Sequence, residues 1–291
     1  MVLRRAFLMF LLAFAAPAVV LTPAAAQTLP AETDPAQTRQ AQIDSLFDAL
    51  ALAEMIGIMR EEGIAYGNQI RDDMFPGQGG AEWAGVIEAI YDATRMEAEV
   101  RAALARGLDD KDVAPMLAFF QAEPGATFIR LEVSARRAML DDAVEAASKE
   151  MAALAMADET PRMALVRRIV EVNDLIETNV VGAMNSSYAF YSGLMDGSAF
   201  DRQMSADEML ANVWSQEAEI RANTTEWVYS FLLMAYQPLP EADLEAYIAF
   251  SETPAGRELN RAIFVAFDDT FESISHALGI ASARFMVGQE L

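Results

Sequence analysis

Apolar residues recur at steps of three and four along most of the chain, which is the period of an amphipathic α-helix. In the segment 40–66, for example, Ile43, Leu46, Leu50 and Ala53 follow this spacing. The pattern and its start and stop residues predict further helices at about 81–106, 109–122, 124–156, 160–197, 205–236, from Pro240 and from Pro254. No segment alternates apolar and polar residues for long enough to predict a strand. The sequence therefore predicts an all-α fold of about eight helices.

The predicted last helix carries a regular apolar seam over three heptads. Its members are Phe264, Phe267, Phe271, Ile274, Leu278, Ala281 and Phe285. Such a seam packs against a neighbouring helix. That neighbour lies either in the same chain, where the seam forms core, or in a second molecule, so that a homo-oligomer forms through 264–285.

A segment near the middle of the chain recurs 131 residues later. The identical pairs are Leu108/Leu239, Asp112/Asp243, Ala118/Ala249 and Phe119/Phe250, and at the same offset Gly125 meets Gly256, Arg130 meets Arg261 and Trp83 meets Trp214. A constant offset over many residues is typical of a duplicated structural unit. We therefore predict two tandem four-helix repeats, 40–156 and 160–288, each with long, long, short and long helices.

The repeated segment resembles the signature of a family of bacterial periplasmic proteins that is known only as a domain of unknown function. The signature is a short helix with leucine, an acid four residues further on, an apolar pair and an aromatic residue, followed by a turn with proline and glycine. The second copy runs from Leu239 to Gly256 with Pro254 in the turn, whereas the first copy has its proline directly before Gly125. The two turns are therefore expected to differ. The resemblance implies an α-helical periplasmic domain and brings no catalytic residues with it.

The N-terminus has the order of a secretory signal peptide: Arg4 and Arg5, an apolar run over 6–21, then Ala24-Ala25-Ala26. The sequence predicts cleavage between Ala26 and Gln27 and a mobile lead-in over 27–39, with no stable membrane insertion after cleavage. The mature protein would be periplasmic or secreted. An ordinary basic start is the preferred interpretation of the two arginines, although they also fit the twin-arginine export pattern.

Charge and composition exclude several kinds of function. The chain has 44 acidic and 21 basic residues and a net charge of −23, which disfavours nucleic acid and anionic lipid headgroups as partners. It contains no cysteine and only one histidine, His276, predicted on the outward face of the last helix. The usual zinc ligand sets, thiol nucleophiles and a serine triad are therefore not expected. No motif for a metal or another cofactor is present.

The matching arginines, Arg130 and Arg261, are the candidate ligand-binding residues. Each could instead pair with an acid of its own repeat, Asp112 or Asp243. If they face a cleft, their guanidinium groups could bind an anionic ligand, because guanidinium pairs with carboxylate through two hydrogen bonds. The neighbouring acid pairs are interpreted as solvated surface, and the scattered methionines as core.

These features favour a non-enzymatic binding or scaffolding module of the cell envelope, with another envelope protein or a small ligand as its partner. One alternative is a carrier that holds a hydrophobic ligand in a groove between the repeats. A second alternative is a carboxylate-dependent hydrolase. The hydrolase requires two acids from different helices that converge in a cleft, at least one of them with a strongly raised pKa.

Overall fold

Thirteen α-helices and no strands make up the residues that this computed structural model describes, 35–158, 160–199 and 205–287. The first half contains α1 (Pro35–Ala49), α2 (Leu52–Met74), α3 (Gly80–Ile90), α4 (Ala93–Gly107), α5 (Ala114–Phe120), α6 (Gly125–Ala138) and α7 (Asp142–Asp158). The second half contains α8 (Pro161–Val172), α9 (Leu175–Asp196), α10 (Ala206–Trp214), α11 (Glu217–Ala235), α12 (Glu241–Ser251) and α13 (Pro254–Val287). The all-α prediction is confirmed.

The predicted number of helices, about eight, was wrong because five of the predicted helices are each divided in two. The segment 40–66 divides at Ala51 and the segment 160–197 divides at Asp174, both of which adopt the left-handed conformation, with φ of 46° and 51°. The other three divide between α3 and α4, α6 and α7, and α10 and α11. At the first of these breaks Asp92 starts a new helix by accepting a hydrogen bond from the Arg95 backbone N–H at 2.7 Å.

The N-terminal boundaries are only partly visible. The predicted signal peptide 1–26 and the lead-in residues 27–34 lie outside the described residues. Helix α1 already begins at Pro35, so the predicted lead-in boundary at residue 39 was five residues too late. Among the described residues, no helix is both long and apolar enough to span a bilayer.

The last helix, α13, lies in the middle of the core. It packs along α9 and also contacts α4, α2, α3, α5 and α12. Its seam residues from Phe264 to Ala281 are buried within the chain. This part of the seam therefore forms core, the first of the two predicted alternatives. Phe285 continues the seam into the first half, where its ring lies 5.2 Å from Trp83 and 5.5 Å from Phe75.

The last helices of each half pack against the other half. Helix α13 of the second half packs on α4 of the first, while α6 and α7 of the first half pack on α11 of the second. Each half therefore completes its core with helices from the other.

Candidate functional site

A cavity of about 400 Å³ lies between the two halves. Helices α2, α6 and α7 supply one side, and α9, α11 and α13 supply the other. Six of its apolar and aromatic lining residues are Met59, Tyr66, Tyr91, Met139, Trp227 and Phe271. The cavity exists because helices that are far apart in the sequence meet here without filling the space between them.

A buried ion pair forms part of the cavity wall. Arg136 of α6 is only 6% exposed. Its Nε donates to Glu62 Oε1 at 2.8 Å and its Nη2 donates to Glu62 Oε2 at 2.5 Å. Its guanidinium carbon lies 4.6 Å from the centre of the Trp227 ring, which adds a cation–π contact. Two hydrogen bonds and a ring face together offset the cost of removing this cation from water.

Two tyrosines lie close to this ion pair. The Tyr91 ring packs so tightly on Gly63 that a Cβ at that glycine would come within 2.1 Å of it. The Tyr91 hydroxyl is buried and has no hydrogen-bond partner among the described residues. Burial raises the pKa of Tyr91 well above its usual value, and the nearby Tyr66 and Glu62 raise it further. Burial likewise raises the pKa of Tyr66, so both phenols are protonated at physiological pH.

Charged residues form the rim of the cavity. Lys149 of α7 lies 2.8 Å from Glu145 and 3.4 Å from Glu226 of α11, so it links the two halves. Burial lowers the pKa of Lys149, but the hydrogen bond to Glu145 and the charges of both glutamates raise it by more. Asp142 and Glu61 are exposed members of the same rim. The cavity therefore has five lining carboxylates and two cations.

A fully buried carboxyl, Glu132 of α6, lies outside the cavity. Its Oε1 accepts a hydrogen bond from the Tyr236 hydroxyl, and its Oε2 has no partner among the described residues. Burial raises its pKa well above the usual value, although the hydrogen bond from Tyr236 acts in the opposite direction. The rings of Phe128 and Tyr247 complete this cluster, stacked at 4.6 Å.

The carboxyls with raised pKa do not form the pair that the hydrolase alternative requires. Glu132 has no acidic neighbour among the causes of its shift. Asp268 has its pKa raised to about 6 by burial and by Glu272 and Asp269, which lie on the same helix. Neither Glu132 nor Asp268 lines the described cavity.

The predicted ligand-binding arginines do not meet in a common site. Arg130 contacts Glu123, an acid of its own half, at 3.4 Å and also donates to Thr127. Asp112 instead accepts a hydrogen bond from the Ala114 backbone N–H at the start of α5. Arg261 is exposed and lies near the cation Lys111. Neither arginine lines the cavity.

The motif residues lie where the two halves touch. The rings of Phe119 and Phe250 stack on each other, with centroids 4.2 Å apart and an interplanar angle of 9°. A Cβ at Gly125 would come within 2.1 Å of the Phe119 carbonyl oxygen, and a Cβ at Gly256 would come within 2.2 Å of the Phe250 carbonyl oxygen. The remaining motif residues take structural places: Leu108 and Leu239 are buried, Asp243 lies in the first turn of α12 and Pro254 begins α13.

Trp83 and Trp214, which share the common offset, lie in different surroundings. Trp83 is fully buried and its Nε1 donates to the Gly67 carbonyl at 3.0 Å, whereas Trp214 is 64% exposed at the end of α10. Trp83 is the fourth residue of α3, and the fourth residue of α10 is the buried Met209. The fixed spacing therefore does not give these two tryptophans the same place on their helices.

His276 lies partly exposed on α13, with its Nε2 2.8 Å from Asp196 Oδ2. This agrees with its predicted place on the outward face. It lines neither the cavity nor the Glu132 cluster.

Comparison with known proteins finds similarity in one segment of the chain. Residues 94–153 match the model of the family described as "Uncharacterized protein conserved in bacteria (DUF2059)". The match covers about a fifth of the chain, from α4 to α7. It confirms, for this segment, the resemblance to a bacterial family of unknown function. Neither a curated protein nor a solved structure matches the chain.

The DUF2059 segment contributes Arg136, Met139 and Lys149 to the cavity. None of these three residues was a predicted site residue, and neither were Glu62, Tyr91 and Trp227. One signal was available: Phe128, Glu132 and Arg136 follow one another at four-residue steps, which places two charges on the buried face of α6. A charge on such a face needs a buried partner, and the structure supplies Glu62 for Arg136 and Tyr236 for Glu132.

Proposed function

We propose that this protein is a non-enzymatic binding protein that holds a small, largely apolar ligand in the cavity between its halves. The observation that carries the proposal is the cavity itself, because its volume of about 400 Å³ falls within the roughly 300–1,000 Å³ of ligand sites. Its lining also has the usual character of such sites, apolar and aromatic surface with a few convergent polar groups. The proposal joins the predicted binding role to the carrier alternative.

The polar groups of the wall support a ligand site over a simple packing gap. Arg136 and Glu62 are held in one geometry by two hydrogen bonds and the Trp227 ring. The Tyr91 hydroxyl nearby is buried without a partner among the described residues. A buried hydroxyl without a hydrogen bond lowers stability by about 1–3 kcal/mol, and a ligand that supplies the bond would recover part of that loss.

We also propose that the cavity lies between two copies of one duplicated unit. Six helices, α1 to α6, are followed after α7 by six more, α8 to α13. In each set a residue in the left-handed conformation, Ala51 or Asp174, separates the first two helices. The equivalent contacts of Gly125 and Gly256 with the preceding phenylalanine carbonyls support this origin. The reciprocal packing of the last helices supports a twofold arrangement of the copies.

The proposed place of action is the periplasm or the outside of the cell, after removal of residues 1–26. The basic, apolar and small-residue order of that segment supports export. The lack of cysteine suits an oxidising compartment.

A neutral fluorescent probe tests the binding function. The wild-type protein is expected to bind N-phenyl-1-naphthylamine saturably, with one site per chain. Ala65, an exposed residue on the cavity wall, is replaced in Ala65→Trp, and the bulky indole should block the entrance and weaken probe binding at least ten-fold. Ala53→Trp is the matched control, because Ala53 is also exposed on α2 but does not line the cavity.

Equal affinities of the two variants would place the probe elsewhere and contradict the proposal. If the wild-type protein shows no saturable binding, the scaffolding role is favoured instead. Thermal melts of both variants should match the wild type, because both positions are exposed.

A further inference from the structure

We propose that the ligand of this cavity carries a primary amine on an apolar body, and that the ammonium group binds between the Glu62 carboxylate and the Tyr91 hydroxyl. This inference rests on the proposed binding function and specifies the class of ligand.

The lining of the cavity has a net negative charge. Five carboxylates, Glu61, Glu62, Asp142, Glu145 and Glu226, face two cations, Arg136 and Lys149. The whole chain has a net charge of −23, so the surrounding potential has the same sign as the lining. A negative cavity in a negative protein attracts cations and repels anions.

Both cations of the lining already pair with carboxylates. Arg136 donates two hydrogen bonds to Glu62 and covers the Trp227 ring. Lys149 is held between Glu145 and Glu226. An anionic ligand would bring its charge beside the carboxylates that already neutralise these cations, which a cationic ligand does not.

Two hydrogen-bond acceptors, the Glu62 carboxylate and the Tyr91 hydroxyl, remain for a cationic ligand. A carboxylate offers about four lone-pair sites, and Arg136 occupies only two of those on Glu62. Tyr91 lines the same cavity as Glu62, and its hydroxyl has no partner among the described residues. A primary ammonium has three N–H donors, so it can satisfy both acceptors together. A quaternary ammonium has the same charge and no donor.

The test is displacement of N-phenyl-1-naphthylamine by four ten-carbon competitors: decylamine, decyltrimethylammonium, decan-1-ol and decanoate. We expect decylamine to bind at least ten-fold more tightly than decanoate and at least five-fold more tightly than decyltrimethylammonium. Decan-1-ol should lie between decylamine and decanoate. Decanoate binding as tightly as decylamine would overturn the charge preference, and equal binding of the two cations would overturn the hydrogen-bonded ammonium.

The variant Tyr91→Phe removes only the unpartnered hydroxyl and keeps the ring on Gly63. Its affinity for decylamine should fall about five-fold relative to its affinity for decyltrimethylammonium, which has no N–H donor to lose a hydrogen bond. Tyr188→Phe on α9 is the control, because Tyr188 does not line the cavity. An unchanged decylamine affinity in Tyr91→Phe would contradict the assignment. Failure of the wild-type protein to bind the neutral probe at all would instead contradict the binding function.

Discussion

Asp268 combines a half-buried carboxyl with two acidic neighbours on the same helix. Burial and the charges of Glu272 and Asp269 raise its pKa from 3.8 to about 6. The folded protein therefore holds this proton more tightly than the unfolded chain. Its contribution to stability is fully present below pH 3.8 and is lost as the pH rises to about 6.

We expect Asp268→Asn to stabilise the protein at pH 7 by roughly 1 kcal/mol, a value reduced for the partial exposure of the group. The gain should disappear below about pH 4, where the wild-type carboxyl is protonated. Urea unfolding at several pH values measures it. Glu245→Gln is the control, because this exposed residue of α12 is not among the charges that raise the pKa of Asp268 and its replacement should change stability little. A difference between Asp268→Asn and wild type that does not depend on pH would contradict the argument.

At the residue scale, sequence patterns predicted apolar burial well and charge partners poorly. The apolar seam positions of α13, such as Phe267 and Leu278, are buried as their spacing predicts. The partner of Arg130 is Glu123, seven residues earlier, and the partner of Arg136 is Glu62, 74 residues earlier. Ion pairs depend on side-chain geometry across helices, which a single sequence does not encode in any simple spacing.

At the element scale, the crossing of α9 and α13 depends on two glycines. A Cβ at Gly193 would come within 2.1 Å of the His276 carbonyl oxygen, and a Cβ at Gly279 within 2.2 Å of the Phe190 carbonyl oxygen. Backbone atoms cannot move aside as a side chain can, so the two helices can approach this closely only without Cβ atoms.

We expect Gly193→Ala and Gly279→Ala each to destabilise the protein by about 1–3 kcal/mol, the usual range for overpacking. Gly57→Ala is the matched control, because Gly57 lies inside α2 and a Cβ added there would meet no neighbouring atom within 4 Å. This control should gain about 0.5–1 kcal/mol from the better helix propensity of alanine. Chemical denaturation measures all three, and a Gly279→Ala variant as stable as Gly57→Ala would contradict the close crossing.

The breaks between elements show what periodicity cannot predict. Ala51 and Asp174 end helices in the left-handed conformation, although neither is the glycine that usually marks such a position. The apolar pattern continues across both breaks because the helices on either side bury surfaces in the same core. The start signals were more reliable, since Ser205 with Glu208 forms the predicted capping box.

At the scale of the whole molecule, each half depends on the other because its last helices pack across the boundary between them. We expect fragments 27–158 and 159–291 to fold poorly alone, because α4 lacks α13 in the first and α11 lacks α6 and α7 in the second. Co-expressed, they should copurify and melt cooperatively. Circular dichroism of the separate and mixed fragments tests this, and a cooperative melt of either fragment alone would contradict it.

The sequence predicted the fold class and offered a groove between the halves as one alternative, but it did not predict which residues line the cavity. Composition and period were enough for an all-α chain, because every helix shows the same local signal. The cavity depends on how α2, α6 and α11 meet, and no local pattern reports a gap between helices that are distant in the sequence.

The position of Phe285 has a consequence for the order in which the core can form. Its ring packs on Phe75 and Trp83, yet it follows them by about 200 residues in the sequence. The nascent first half therefore keeps this apolar surface uncovered until the second half has been synthesised. If the chain is exported as its first residues predict, this delay keeps it unfolded for a translocon that accepts only unfolded chains. The uncovered apolar surface would also be bound by chaperones before export.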